Sequence, residues 1–293
     1  MRIFEQKLFK NKVEATGLLL FLLLAVLPLL LGIIYALLYS LGITGLVSDG
    51  FTLKYWQQAF TDIELWYSMG YTFYIALATI TLTIAGALLL TIYLKEPLQQ
   101  GFAGFSIYVP LAFPAIVVAF LIFQLASQSG FFARIIYQLG WISSTAQFPE
   151  LVNDTYGIGI IAAHTFMALP FFTLYFINLY DQENINQLAK VGQTLGASSA
   201  QQHRRIVVPI LLRRAFPTLT LYTIFVMGSY EIPLIVGRQS PQMISVLVIR
   251  KLRKFNLSDI PEAYISALLF ITLIIIGLTL IFKNRNFSYD LDQ

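Results

Sequence analysis

Few residue types in this chain could do chemistry, and most of them stand alone. Glu231 is the acid that the hydropathy pattern sets at membrane depth, between Gly228 and Pro233 in the stretch GSYEIPLIVG. Intramembrane acids are costly and as a rule face a pathway or a partner. Gly228 and Pro233 predict a broken helix whose freed carbonyls would line a cavity. Glu231 then reads as a gate or a contact to a cationic solute. A Glu at the outer interface, solvated or paired with Arg238, fits the same sequence equally well. His164 lies in an apolar run near Pro170, where a lone His is more often a helix–helix hydrogen-bond partner than a ligand. His164 and His203 are too far apart for a metal pair. There is no cysteine, so disulfides, thiol chemistry and Cys-based metal sites are excluded. No G-x-x-x-x-G-K-[ST] loop occurs, so ATP is not bound in the P-loop manner. No Ser/His/Asp or paired-carboxylate arrangement is recognisable. The chain is expected not to be an enzyme and to hold no cofactor of its own.

The richest spacing lies in Leu188 to Pro209, LAKVGQTLGASSAQQHRRIVVP. It is polar, basic and Gly-punctuated, between two long apolar segments. Asp181, Glu183 and Asn184 open it, and Asn186 is expected to cap a helix beginning near Gln187. Leu188, Val191 and Leu195 recur at helical spacing. Gly196 permits a turn that a residue with a Cβ would resist. Ser198 or Ser199 can cap a second short helix through Gln201, His203 and Arg204. Pro209 then suits a first helical turn. A helix pair with a small-residue hinge does mechanical rather than covalent chemistry, as a docking surface for another protein. An ordinary connector is the plainer reading, and the weaker one.

The elements that carry these residues must be membrane spans. The chain has 293 residues, 57% hydrophobic and 12% charged, against about 25% charged in soluble domains. Residues 15–48, 65–94, 97–133, 155–180, 215–230 and 263–282 contain no charge. About 20 mostly apolar residues cross the hydrocarbon core. Five of the six runs are long enough; 215–230 reaches that length only by continuing through Glu231 to about Gly237. The runs are continuous rather than alternating, so helices and not a β-barrel are expected. Spans are placed at 15–41, 66–94, 104–127, 156–180, 209–236 and 263–283. The first is too long for a signal peptide and lacks a cleavage site, so it reads as retained.

With the N-terminus inside, cytoplasmic segments hold 12 of the 19 Lys and Arg, among them Arg2, Lys7, Lys10, Lys12, Lys95, Lys190, Arg204, Arg205, Arg213, Arg214, Lys283 and Arg285. This is the positive-inside bias, and it explains the net charge of +4 better than nucleic-acid binding does. Arg250 to Lys254 (RKLRK) runs against it, as a solvated basic helix end or a patch for an acidic partner. Trp56, Trp66 and Trp141 fit an aromatic belt. Asn153-Asp154-Thr155 and Asn256-Leu257-Ser258 match a glycosylation pattern by chance.

Gly196 is followed ten residues later by Ile206, and Pro209 closes the pattern; Leu195-Gly196-Ala197-Ser198 forms its centre. Here the chain resembles the permease subunits of binding-protein-dependent type I ABC importers, whose motif is E-A-A-x-x-x-G, nine residues, then I-x-L-P. Gly228 to Gly237 and SPQMISVLVIRKL look like the subgroup with polyamine, iron and phosphonate importers. The likeness covers nearly the whole chain, though only the loop motif is specific. It departs at Lys190, Val191 and Gly192, which stand where the family has Glu-Ala-Ala.

The resemblance implies an all-α polytopic fold of one transmembrane domain over 1–293, both termini cytoplasmic, with a coupling-helix loop at 181–208. It implies a multi-pass protein of the bacterial inner membrane. A cytoplasmic ABC ATPase dimer would bind ATP and Mg and contact Leu188, Ala189, Lys190, Leu195, Gly196, Ala197, Ser198, Arg204, Arg205, Ile206 and Pro209. A second permease subunit would complete a heterodimer, in which this loop could be the weaker half, and an extracytoplasmic solute-binding protein would deliver the solute. Gly228, Glu231 and Pro233 would belong to the pathway or gate. The solute is a small molecule, with Glu231 tilting toward a polyamine-like cation. An ion-coupled secondary transporter is the alternative, but it calls for several intramembrane acids and an internal repeat, and neither is evident.

Overall fold

The computed structural model describes residues 12–45, 48, 50–254, 257 and 259–283, with side chains from residue 15 onward. Arg2, Lys7, Lys10 and Arg285, both chain ends, and Asn256 and Ser258 of the second glycosylation pattern lie outside the described residues.

In chain order the helices are α1 (Ala15–Ser40), α2 (Lys54–Thr61), α3 (Ile63–Gln99), α4 (Gly101–Ser106), α5 (Ala115–Ala126) and α6 (Phe131–Gln138). After them come α7 (Ile158–Gln182), α8 (Ile185–Thr194), α9 (Ser199–Met227), α10 (Glu231–Val236), α11 (Ile244–Leu252) and α12 (Asp259–Lys283). Among the described residues six stretches are long and apolar enough to cross a membrane: α1, α3, α5 with α6, α7, α9 and α12. No strand occurs among the described residues. The expected all-helical, six-span fold is the one observed.

Prolines set most of the span irregularities. α1 and α9 each contain one π-helical turn, Leu22–Val26 and His203–Val207. Each ends two residues before a proline, Pro28 or Pro209. Leu27 N–H bonds the Leu22 carbonyl and Val208 N–H bonds the His203 carbonyl, a widened i→i−5 register. Proline lacks an N–H, and its ring crowds the carbonyl four residues back; the wide turn relieves both. In α3 the backbone kinks at Leu94, three residues before Pro97, for the same reason.

Two boundaries differ from the sequence expectation. The third span starts at Ala115 rather than 104. Pro114 caps it in an extended conformation, and Val109–Ala112 forms a 3₁₀ turn containing Pro110. The fifth span is Ser199–Met227 rather than 209–236. It gains length at its start, where the supposed separate short helix runs on unbroken through Pro209, and ends before Glu231. Pro209 is thus inside a long helix, not in its first turn.

The chain divides into two compact units, residues 66–246 and the remainder. In the first, α7 packs on α5, α9 and α10, and α5 packs on α10. Its core joins Ile80 and Ala87 of α3, Phe172 and Phe176 of α7, Ile185 of α8, and Val207, Leu211, Ala215 and Leu219 of α9. In the second unit α12 packs on α1 and α2. Tyr39 and Tyr264 pack there in a tilted pair with ring centroids 4.9 Å apart, and Trp56 Nε1 donates to Ser40 Oγ at 3.2 Å.

The RKLRK segment, expected to be solvated or to meet an acidic partner, is tied up inside this second unit. Lys251 is buried; its Nζ lies 2.6 Å from Asp62 and 2.9 Å from Glu262. Arg250 pairs with Glu64, and Lys254 with Asp259 at 3.0 Å. Burial opposes charge on Asp62, but the hydrogen bond and charge of Lys251 outweigh it and hold the carboxyl below its ordinary value. Burial likewise opposes charge on Lys251, and the hydrogen bonds and charges of Asp62 and Glu262 prevail and raise it.

Candidate functional site

The 181–209 connector is built as a clamped helix pair. Asn184, in a left-handed conformation (φ 48°), starts α8; the cap is this residue and not Asn186. Asn tolerates that conformation better than most residues with a Cβ. α8 ends in a Schellman turn. Ala197 N–H bonds the Gly192 carbonyl and Gly196 N–H bonds the Gln193 carbonyl, both at 2.9 Å. Gly196 sits at φ +85° with open space where a Cβ would be, so backbone conformation alone demands glycine there. Ser198 caps α9 in a reciprocal box. Its Oγ accepts from Gln201 N–H at 3.4 Å while its own N–H donates to Gln201 Oε1 at 2.9 Å.

The pair is fixed to the core from below. Ile185 and Val207 are fully buried in the cluster around Phe172 and Phe176. A Cβ on Gly192 would stand 3.0 Å from Ile206 Cδ1, so the missing side chain lets α8 close on the first turns of α9. Charges brace the entry. Asp181 pairs with Lys95 and accepts from Gln99 Nε2 at 3.0 Å. Lys95 Nζ also lies 4.1 Å above the Tyr180 ring. Glu183 Oε1 lies 2.8 Å from Arg214 Nε. These braces join α7, α3 and α9 at one end of the connector.

What remains free is an apolar stripe. Leu188, Val191 and Leu195 are 45, 57 and 82% exposed at helical spacing along α8. Lys190, Arg204 and Arg205 are exposed, and no ion pair to them is found among the described residues. Ala189, Ala197 and Ile206 are half-buried, and Ser198 and Pro209 are exposed. A rigid helix with uncovered apolar side chains suits docking, not catalysis. No cluster of three or more His, Cys, Asp or Glu able to hold a metal occurs among the described residues.

The second candidate region is the end of α9. The helix stops at Met227, and Glu231 begins the short α10. Two side chains on neighbouring helices bond to Ser229 within the gap. His164 Nε2 and Ser229 Oγ are 2.9 Å apart, and Ser245 Oγ donates to the Ser229 carbonyl. Ile244 N–H donates to Thr72 Oγ1 at 2.9 Å. The expected break at Gly228 is therefore present, and His164 of α7 hydrogen-bonds to Ser229 within it rather than to another helix. Pro233 is buried and Glu231 exposed. Arg238 does not pair with Glu231; its Nη1 donates to Thr155 Oγ1 at 3.1 Å. Beside α10 lies a cleft of about 670 Å³ that includes Phe123, Gln128, Asn153, Leu234 and Arg238.

The Asp181–Lys95 and Glu183–Arg214 braces, and Gly192 as a contact point, were not legible in the sequence. The ion pairs join residues 86 and 31 positions apart, spacings that leave no local pattern.

No family model matches the chain. A probable ABC transporter permease protein of Sinorhizobium fredii is 26% identical over 212 residues, 70% of this chain and 34% of that protein. The chain thus spans about a third of the length of the curated relative it matches. A bacterial ABC transporter involved in import of the acidic polysaccharide alginate superposes with a TM-score of 0.65. The match has 13% identity and covers 96% of this chain and 98% of that one. A bacterial alginate ABC transporter in complex with an alginate-pentasaccharide-bound periplasmic protein gives 0.63 at 14% identity, over 90% and 91%. At these identities the likeness is one of fold. The relative's sequence, the six long apolar helices and the shared fold agree: the chain is similar to ABC transporter permeases in part of its sequence and in its fold.

Proposed function

We propose that this chain is a membrane subunit of an ATP-driven importer of the bacterial inner membrane, and that its 181–209 connector lies in the cytoplasm. One observation carries the reading: α8 exposes Leu188, Val191 and Leu195 while being locked to α9. In this reading an ABC ATPase dimer, which binds ATP and Mg, receives that stripe. Closure of the dimer pushes α8. The capped turn at Gly196, the Gly192–Ile206 contact and the unbroken α9 then carry the push some 29 residues to Met227. A second permease subunit completes the pathway, and a solute-binding protein delivers the solute from outside.

A transporter of like fold is involved in import of the acidic polysaccharide alginate, a cargo opposite in charge to what Glu231 favours. We assign the cargo here to a small cationic solute, polyamine-like, because an exposed carboxylate stands at the break in α9.

The test is uptake by the full complex in proteoliposomes. Uptake should require ATP inside and fail with Gly196→Leu, which forces a side chain into a left-handed conformation. Uptake that survives without ATP and collapses with an ionophore would mean an ion-coupled transporter instead.

A further inference from the structure

We infer that the socket receiving α8 has an apolar floor and a carboxylate rim; this rests on the docking reading above and names the partner's surface chemistry.

The charge distribution carries it. Residues 184–230 contain five basic residues and no acid: Lys190, Arg204, Arg205, Arg213 and Arg214. The nearest acids on the N-terminal side, Asp181 and Glu183, are consumed by Lys95 and Arg214. Lys190, Arg204 and Arg205 are left exposed without an ion pair among the described residues. The helix pair therefore offers a partner apolar side chains, neutral polar ones and positive charge, but no negative charge. Like charges juxtaposed across an interface are strongly unfavourable, and complementary ones steer association. Lys190 is exposed on α8 and lies about 100° round the helix from Val191, so its charge flanks the stripe rather than standing within it.

A membrane surface is the competing occupant of a basic, apolar helix. Helices that lie on lipid combine a polar face rich in Lys and Arg with Trp, Phe or Leu. α8 has one basic residue, no aromatic and an Asn-Gln-Gln-Thr polar side. A protein socket fits it better.

The experiment uses the whole complex with its cognate ATPase, reconstituted in phosphatidylcholine nanodiscs, with ATPase binding titrated against NaCl. Between about 0.05 and about 0.5 M salt the wild-type dissociation constant should rise roughly tenfold, because exposed charges are screened over that range. Lys190→Glu should weaken binding about fivefold at low salt, and a carboxylate-to-Lys change on the socket rim should restore it. Leu195→Asp should release the ATPase at any salt. If Lys190→Glu binds as tightly as wild type while Leu195→Asp still releases the ATPase, the rim is not acidic and the docking reading stands. If the wild-type complex holds no ATPase, the docking reading itself falls. A Lys190→Glu loss that appears only in phosphatidylglycerol discs means that the charge faces lipid, which overturns the inference.

Discussion

Gly192 and Ile206 meet where no Cβ would fit without a shift: an alanine methyl at 192 would lie 3.0 Å from the Ile206 Cδ1. The contact joins α8 to the π turn near the start of the long α9. The opposing atom is the tip of a half-buried side chain, which can give way by a few tenths of an ångström. Alanine also favours helix over glycine by about 1 kcal/mol. Gly192→Ala should therefore keep stability within about 1 kcal/mol and keep ATP-coupled uptake. Gly192→Leu cannot be absorbed this way and should uncouple ATPase activity from uptake. Paired ATPase and uptake assays on the two variants check this.

Gly196→Ala meets open space, so its cost is the left-handed backbone alone, about 1–2 kcal/mol. Ser198→Ala removes one half of the capping box and should cost about 1 kcal/mol. The two changes lie in one turn, so their effects should not add. Thermal unfolding of both single variants and the double variant in detergent measures the coupling.

Asp181–Lys95 and Glu183–Arg214 have at least one half-exposed partner each, and such pairs contribute about 0–1 kcal/mol to stability. Their value lies in geometry. Glu183→Gln and Asp181→Asn should leave the melting temperature nearly unchanged yet lower the uptake obtained per ATP. A fall in melting temperature of similar size to the loss of a core residue would mean that the braces are structural only.

Lys251 is different because it is buried between two carboxylates. Lys251→Met leaves Asp62 and Glu262 facing each other and should cost about 3 kcal/mol. Asp62→Asn and Glu262→Gln added to it should recover most of that loss. The pH dependence follows from the two shifts. Asp62 is lowered from 3.8, so its contribution is present above the ordinary carboxylate range and fades as pH falls through the lowered value. Lys251 is raised from 10.5, so its contribution is whole below that pH and fades as pH rises through the raised value. Wild-type stability should be level between these edges, and Lys251→Met should remove the alkaline edge. Melting curves from acid to alkaline pH test both.

Glu231→Gln keeps shape and removes charge at the break in α9. If the carboxylate meets a cationic solute, uptake should fall about tenfold, the worth of roughly 1.4 kcal/mol, with no change in assembly. Unaltered spermidine uptake would remove Glu231 from the pathway.

The spans, the helix break at Gly228 and the turn at Gly196 are legible in the sequence because they follow from local causes. Unbroken apolar runs fix helices in lipid, and a glycine or proline punctuates a chain wherever it falls. Even the π turns before Pro28 and Pro209 have a local cause, although the expected fifth span was misplaced by reading Pro209 as a start. Contacts between distant residues are another matter. Lys95 and Asp181, Gly192 and Ile206, or Lys251 between Asp62 and Glu262 acquire their roles only when packing brings separate helices together. The sequence alone determined that this is a six-span helical protein with an unusual connector. The tertiary structure decided which of the connector's charges are spent inward, and so which remain to meet a partner, because a charge is free only if folding has not already supplied its counterion.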